Sequence, residues 1–139
     1  MCFYFIHFLF IFFINMDASV AKYSEKLREK SYVAANLQCR LWHNGQRSKS
    51  YGQIKVKLPN LEWHSYSPAK LSLMIKLRFI PPPSLDCSHL CHNRLCINPD
   101  HLSLEPHGVN MQRVNCMSEG VCRQHVNYPP CLVNLHLNE

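Results

Sequence analysis

Apolar and polar residues alternate with two different periods along the N-terminal half of this chain. Val20, Tyr23 and Leu27 recur at helical spacing within residues 18–34, with charged residues between them, which predicts an amphipathic helix. Within residues 51–58, three apolar residues instead alternate with two lysines, which predicts a strand with one buried face. The two periods together favour an α+β fold.

A small antiparallel sheet is predicted around that strand. Residues 39–42 and 62–64 have the pattern of shorter strands, and turn-forming residues at 43–46 and 59–60 separate them from it. Residues 68–79 return to helical spacing, which predicts a second helix packed against the sheet.

The predicted sheet has a basic outer face. Lys55 and Lys57 lie opposite the apolar positions, and no acidic residue occurs between Glu29 and Glu62. The 139-residue chain has a formal net charge of +6. A basic two-stranded ribbon suits the major groove of DNA, although lysines on an outer face also maintain solubility or protect a sheet edge.

Residues 1–15 are almost wholly apolar. They are fewer than the roughly 20 residues of a membrane-spanning helix, and they lack the basic start and small-residue cleavage site of a usual secretory signal. We therefore predict an apolar leader or spurious extension over residues 1–15, an N-terminal helix over 16–34 and one further domain over 35–139. We expect no membrane association and an intracellular, nuclear location, with secretion as the alternative if the leader is a true signal.

Cysteines and histidines occur at metal-ligand spacing further along the chain. Cys91, Cys96 and His101 supply three ligands within eleven residues, whereas structural zinc takes four. Cys39 and Cys87 are the candidates for the fourth, and Cys39 would also tie the predicted sheet to this loop. Eight cysteines in a secreted chain would favour disulfides, but their interleaving with histidines favours zinc in a reducing compartment.

A second set of four potential ligands comes later in the sequence: Cys116, Cys122, His125 and Cys131. Few large apolar side chains lie among them, so we expect this segment to need a metal ion in order to fold. With four protein ligands each, both zinc ions would be structural.

One histidine next to the first set is left over for chemistry. His89 precedes Cys91 by two residues, so a metal-anchored backbone would hold it rigidly. A neutral imidazole so held suits a general base, whereas a surplus ligand or a surface histidine is the ordinary alternative.

A helix after the first set carries a second candidate. Residues 102–104 predict a short strand, and Pro106 suits the first turn of a helix that runs to about Cys116. Asn110 lies within that helix, where its amide oxygen would be a hard ligand suited to Mg²⁺. An exposed helix-surface asparagine is the ordinary alternative.

The order of strand, loop, strand and helix, with a histidine before the loop and an asparagine on the helix, resembles the His-Me finger (ββα-metal) endonucleases. Within them it is similar to the zinc-binding homing endonucleases. The residues that carry the resemblance are Ser88, His89, Leu90, Cys91, His92, Asn93, Cys96, Asn98, Pro99, His101, Leu102, Glu105, Asn110, Arg113 and the second ligand set.

The resemblance implies a DNA endonuclease on a zinc-stabilised scaffold. His89 would be the general base that activates water, Asn110 would hold one catalytic Mg²⁺, and Arg47 would contact the scissile phosphate. The first zinc ion would be bound by Cys39, Cys91, Cys96 and His101, and the second by Cys116, Cys122, His125 and Cys131.

Double-stranded DNA is the implied partner, docked on the sheet of residues 38–66. A homodimer is also implied, but residues 132–139 are too few for the large C-terminal exchange of the homing enzymes. The alternative function is a zinc-dependent nucleic-acid-binding module that has lost hydrolysis. A secreted protein stapled by disulfides is the alternative of a different class.

Overall fold

The computed structural model describes residues 18–35, 38–43, 52–58 and 62–132. The predicted leader and Arg47 lie outside these ranges. The described elements are α1 (residues 18–29), β1 (Ser31–Val33), β2 (Arg40–Trp42), β3 (Ile54–Lys57), β4 (Trp63–Tyr66), α2 (Pro68–Leu77), β5 (Leu85–His89), a short 3-10 helix (Pro99–His101), β6 (Leu102–Pro106) and α3 (His107–Glu119).

Helix α1 packs on the hairpin of β3 and β4 through the predicted apolar stripe. Tyr23 and Leu27 are buried, and the backbone N–H of Lys57 donates to the Tyr23 hydroxyl at 2.8 Å. The helix ends before residue 34, the boundary predicted from the sequence. Strand β1 follows it instead, because the Ser31 hydroxyl donates to the Leu27 carbonyl at the helix end and β1 then pairs with β2.

The predicted α+β class with small antiparallel strands is confirmed, and so is a return strand that pairs with the strand of residues 51–58, but residues 39–42 do not join that sheet. Strand β2 pairs with β1, β3 pairs with β4, and β5 pairs with β6, so the described residues form three two-stranded sheets. The alternation in β3 is as predicted, with Ile54 and Val56 buried and Lys55 and Lys57 exposed.

Helix α2 connects the β3–β4 hairpin to the rest of the molecule. It begins after Ser67, whose side chain accepts from the backbone N–H of Lys70, and it ends at Arg78 in the left-handed conformation. The Ser72 hydroxyl donates to the Ile97 carbonyl at 2.6 Å, and Lys70 Nζ donates to the Leu85 carbonyl at 2.9 Å. Helix α2 therefore supports the segment in which the first ligand set lies.

Strands β5 and β6 and helix α3 form the predicted ββα unit. The two strands are in register from the Leu85–Pro106 pair to the His89–Leu102 pair, and α3 packs against both. Residues 90–101 connect the strands, and this loop also pairs with β2. The Trp42 N–H donates to the Leu95 carbonyl at 2.9 Å, and the Ile97 N–H donates to the Arg40 carbonyl at 2.7 Å. Among the described residues, no helix is both long and apolar enough to cross a membrane.

Candidate metal centres and the adjoining polar site

The structure brings the first predicted ligand set together. Cys39, Cys91, Cys96 and His101 each offer one ligand atom, and these four atoms all lie within 4.8 Å of one another. The Nδ1 atom of His101 is 3.4 Å from Cys39 Sγ and 3.6 Å from Cys96 Sγ. Tetrahedral zinc, with bonds of about 2.3 Å to sulfur and about 2.0 Å to nitrogen, would separate sulfur from nitrogen by roughly 3.5 Å. The geometry therefore fits a zinc ion.

Cys39, rather than Cys87, completes this group. Strand β2 pairs with the loop, as in the bridge between Leu41 and Cys96, and this pairing brings Cys39 to the other ligands. Cys87 lies on β5 against the apolar core, where burial raises the pKa of its thiol to about 12. A thiol in that environment stays protonated at neutral pH.

The electrostatics of the first group also favour a cation. Burial, together with the neighbouring Cys96, raises the pKa of Cys39 to about 11. The hydrogen bond from Cys91 instead lowers the pKa of Cys96 to about 5. The buried cluster thus stabilises one thiolate at the expense of the others. A divalent cation removes that conflict, because all three thiols then bind it as thiolates.

The second predicted ligand set also comes together, with all four ligand atoms within 4.8 Å. Cys116 belongs to α3, and its Sγ is 3.6 Å from the Nε2 of His125, which is 3.5 Å from Cys131 Sγ. These separations fit a second zinc ion as well. The Nδ1 atom of His125 lies 3.2 Å from the Gln112 side-chain oxygen. That oxygen only accepts hydrogen bonds, so Nδ1 carries the proton and Nε2 is free for a metal.

A buried ion pair connects the second group to the ββα unit. Arg113 and Glu105 are both essentially fully buried, and the Arg113 Nε donates to Glu105 Oε2 at 2.8 Å. Burial opposes ionisation of Glu105, yet the hydrogen bonds from Arg113 and its charge keep the pKa of the carboxyl below its ordinary value. Arg113 also donates to Cys131 Sγ at 3.3 Å and to the Pro129 carbonyl at 2.8 Å. One guanidinium therefore joins β6, α3 and the final ligand.

His89, the predicted general base, is the last residue of β5 and is half-buried. Its Nε2 atom lies 3.1 Å from the backbone oxygen of Cys96. A carbonyl oxygen only accepts, so Nε2 carries the proton and Nδ1 is left with a lone pair. Burial lowers the pKa of His89 to about 4, which keeps the ring neutral near pH 7.

Asn110, the predicted Mg²⁺ ligand, lies in α3 and contacts a carboxylate on β5. Its Nδ2 donates to Asp86 Oδ2 at 3.0 Å, and the same oxygen is 2.8 Å from the Nδ1 of His107. Hydrogen bonds from Asn110 and then from His107 lower the pKa of Asp86. Asp86 and Gln112 are not among the residues that the sequence singles out, although Asp86 lies three residues before His89 and Gln112 lies two residues after Asn110.

His89 and the contact of Asn110 lie on the same strand. Asp86 precedes His89 by three residues of β5, so their Cα atoms are roughly 10 Å apart at the usual strand rise. Arg47, the third predicted catalytic residue, lies outside the described residues, and its role stays a prediction.

The hairpin of β3 and β4 carries a basic and aromatic surface. Lys55 and Lys57 are exposed, and Trp63, which pairs with Lys57 across the hairpin, is 62% exposed. The Lys57 ammonium lies 5.9 Å from the centre of the Trp63 ring. We define these three residues as the hairpin surface.

Comparison with known proteins identifies one family. A family model described as the zinc-binding loop region of homing endonuclease matches residues 20–136, which is most of the chain. No curated protein matches, and no solved structure matches.

Proposed function

Because the chain belongs to this family of zinc-binding homing endonuclease loops, we propose that it hydrolyses phosphodiester bonds in double-stranded DNA. The observation that carries the proposal is a pair of hydrogen bonds, each of which orients one polar side chain of the ββα unit. His89 is held by the backbone of Cys96, and Asn110 is held by Asp86. Each hydrogen bond leaves an acceptor atom unused, and those acceptors are the groups that a hydrolytic site needs.

His89 is the general base of the proposed reaction. Because its Nε2–H is donated to the Cys96 carbonyl, its Nδ1 accepts a proton from water while that water attacks the phosphorus atom. The bond from phosphorus to the 3′ oxygen breaks in the same step, and the leaving oxygen takes up a proton from solvent. The carbonyl belongs to Cys96, which is a member of the first ligand set. This ligand set therefore determines the position and the tautomer of the base. The role of zinc in the proposal is therefore structural.

Asn110 holds the catalytic cation through its amide oxygen. Mg²⁺ bound there would stabilise the negative charge that develops on the phosphate and on the leaving oxygen. The residue fits this ion, because Mg²⁺ prefers hard oxygen ligands and usually takes only one or two from the protein. The nitrogen of the same amide is already engaged by Asp86.

The hairpin surface is the proposed DNA contact. Lys55 and Lys57 point away from the core, and a two-stranded ribbon with cationic side chains can enter the major groove and contact phosphates. Trp63 adds a broad exposed ring beside Lys57. The lysines would provide affinity that depends on salt concentration.

A second candidate function is a zinc-dependent nucleic-acid-binding module without hydrolysis. The hairpin surface and the two tetrads support it equally well, because neither feature requires a reaction. The oriented His89 and Asn110 favour the nuclease, since a module that only binds DNA has no need of either acceptor.

The test is nicking of supercoiled plasmid DNA by the zinc-loaded protein, with Mg²⁺ added or omitted. Mg²⁺ should be withheld rather than chelated, because a strong chelator also removes zinc. We expect nicking only with Mg²⁺, and a loss of at least about 100-fold in the Asn110→Ala variant. Asn115→Ala, which alters an exposed asparagine of the same helix, is the matched control and should keep full activity. Plasmid binding without any nicking would instead support the binding module.

A further inference from the structure

Asp86 contacts Asn110 but has no chemical role in the proposed reaction. One of its carboxylate oxygens, Oδ2, accepts from the Asn110 amide at 3.0 Å and lies 2.8 Å from the His107 Nδ1. The side chain of Asp86 is about one-third exposed, with 32% of its surface accessible, so it borders solvent rather than the apolar core. The three groups come from the start of α3 and the facing strand β5.

This contact determines which way the Asn110 amide faces. An ionised carboxylate accepts hydrogen bonds and donates none, so it selects the orientation in which Nδ2 faces Asp86. The amide oxygen, on the opposite side of the planar group, then faces away from Asp86. A carboxamide without such a partner would interconvert between orientations, and one of these would present N–H groups to a cation.

His107 also stabilises the position of the Asp86 carboxylate. Its Nδ1–H donates to the same carboxylate oxygen, and it precedes Asn110 by three residues on the same face of the helix. The carboxylate therefore has two donors from one helical turn, which restricts its rotation. The backbone of Asp86 is held in strand β5, where Asp86 pairs with Glu105 of β6.

We propose that Asp86 is the positioning residue of the cation site, and that it holds the Asn110 amide with Oδ1 presented to Mg²⁺. This inference rests on the proposed function, because it concerns the same site. Asp86 acts through Asn110 and does not itself touch the reacting atoms. Its negative charge also favours the presence of a cation nearby.

The variants should separate the local role of Asp86 from an effect of the overall net charge. Asp86→Ala removes the acceptor, whereas Asp86→Asn keeps the shape but loses both the charge and the preference for one amide orientation. Glu25→Gln, which neutralises an exposed acid on α1, is the matched control for net charge. All three variants should retain two zinc ions per chain, which verifies the fold.

The first readout is the Mg²⁺ concentration that gives half-maximal plasmid nicking. Loss of a side chain that orients a metal ligand typically weakens metal affinity or activity by about 10- to 100-fold, so we expect at least a tenfold increase for both Asp86 variants. Saturating Mg²⁺ should recover most of the rate. Unchanged Mg²⁺ dependence in Asp86→Ala would overturn the inference.

The second readout does not depend on activity. In the NMR spectrum, the side-chain ¹⁵NH₂ signals of Asn110 should shift when Mg²⁺ is added to the wild-type protein, and this shift should be absent or much weaker in Asp86→Ala. Equal shifts in both proteins would refute the positioning role. If the wild-type protein does not nick plasmid but the Asn110 signals differ as expected, the nuclease proposal fails and the role of Asp86 stands.

Discussion

The imidazole of His89 and the backbone carbonyl of Cys96 lie 3.1 Å apart, across the loop that carries the first metal group. This contact joins the candidate base to a candidate zinc ligand through a single hydrogen bond. The orientation of the ring therefore depends on the conformation of the loop, which contains three of the four ligands of that group. A zinc ion bound there would take no part in the chemistry, but it would still determine the position of the proposed general base.

Replacement of His89 by alanine is expected to abolish plasmid nicking while binding is retained. General-base catalysis contributes roughly 10²- to 10⁴-fold, so the nicking rate should fall by at least about 100-fold. The affinity for DNA and the zinc content should not change, because His89 belongs to neither tetrad nor the hairpin surface. The matched control is His43→Ala, which removes an exposed histidine beside Tyr32 and should keep full nicking activity. Full nicking by His89→Ala would refute the assignment of the base.

Zinc stoichiometry distinguishes the two candidate cysteines of the first group. Cys39→Ser should bind one zinc ion per chain, because its tetrad loses a ligand, whereas Cys87→Ser should still bind two. Metal analysis of the gel-filtered proteins measures both. The assignment would be wrong if Cys87→Ser lost an ion while Cys39→Ser kept both.

The buried pair of Glu105 and Arg113 should be a large source of stability when only one partner is removed. Glu105→Gln leaves the guanidinium buried without its counter-charge, and we expect a loss of about 3–5 kcal/mol in the free energy of unfolding. Urea unfolding at a fixed free zinc concentration gives the value. Glu119→Gln, whose exposed partner is Arg123, should cost less than about 1 kcal/mol. Similar losses in the two variants would contradict the importance of the buried pair.

The hairpin surface should contribute to DNA affinity through phosphate contacts. The Lys55→Ala/Lys57→Ala double variant should bind duplex DNA more weakly, and its plot of log affinity against log salt concentration should be less steep by about 2. Fluorescence anisotropy across a series of salt concentrations measures this slope. Lys22→Ala/Lys26→Ala on α1 makes the same change in net charge away from the hairpin. An equal effect in both double variants would indicate attraction by overall charge rather than a docking surface.

Two orienting residues cannot be found from the sequence, for one physical reason. Asp86 and Gln112 acquire meaning only because β5 and α3 place them beside Asn110 and His125. Neither residue belongs to a local motif, since the groups that they orient lie 24 and 13 residues away in the chain. The spacing of ligands within a short loop is visible in one dimension, whereas the partners that orient them are not.

The pairing of β1 with β2 also does not follow from the sequence. Strands β1 and β2 have only three residues each, and segments so short have no strong preference for one partner. The local pattern places the residues of β1 in the preceding helix, but their pairing with β2 overrides this weak local preference.

The sequence by itself determined three ligands of the first group and all four of the second, the ββα order, the alternation in β3 and the candidate roles of His89 and Asn110, because each of these depends on local spacing or on a recognisable motif. Only the tertiary structure decided that Cys39 rather than Cys87 joins the first group, that Arg113 connects the second group to Glu105, and that Asp86 faces Asn110. Those relationships arise when elements distant in sequence pack together, because packing chooses among partners that the local sequence leaves equivalent.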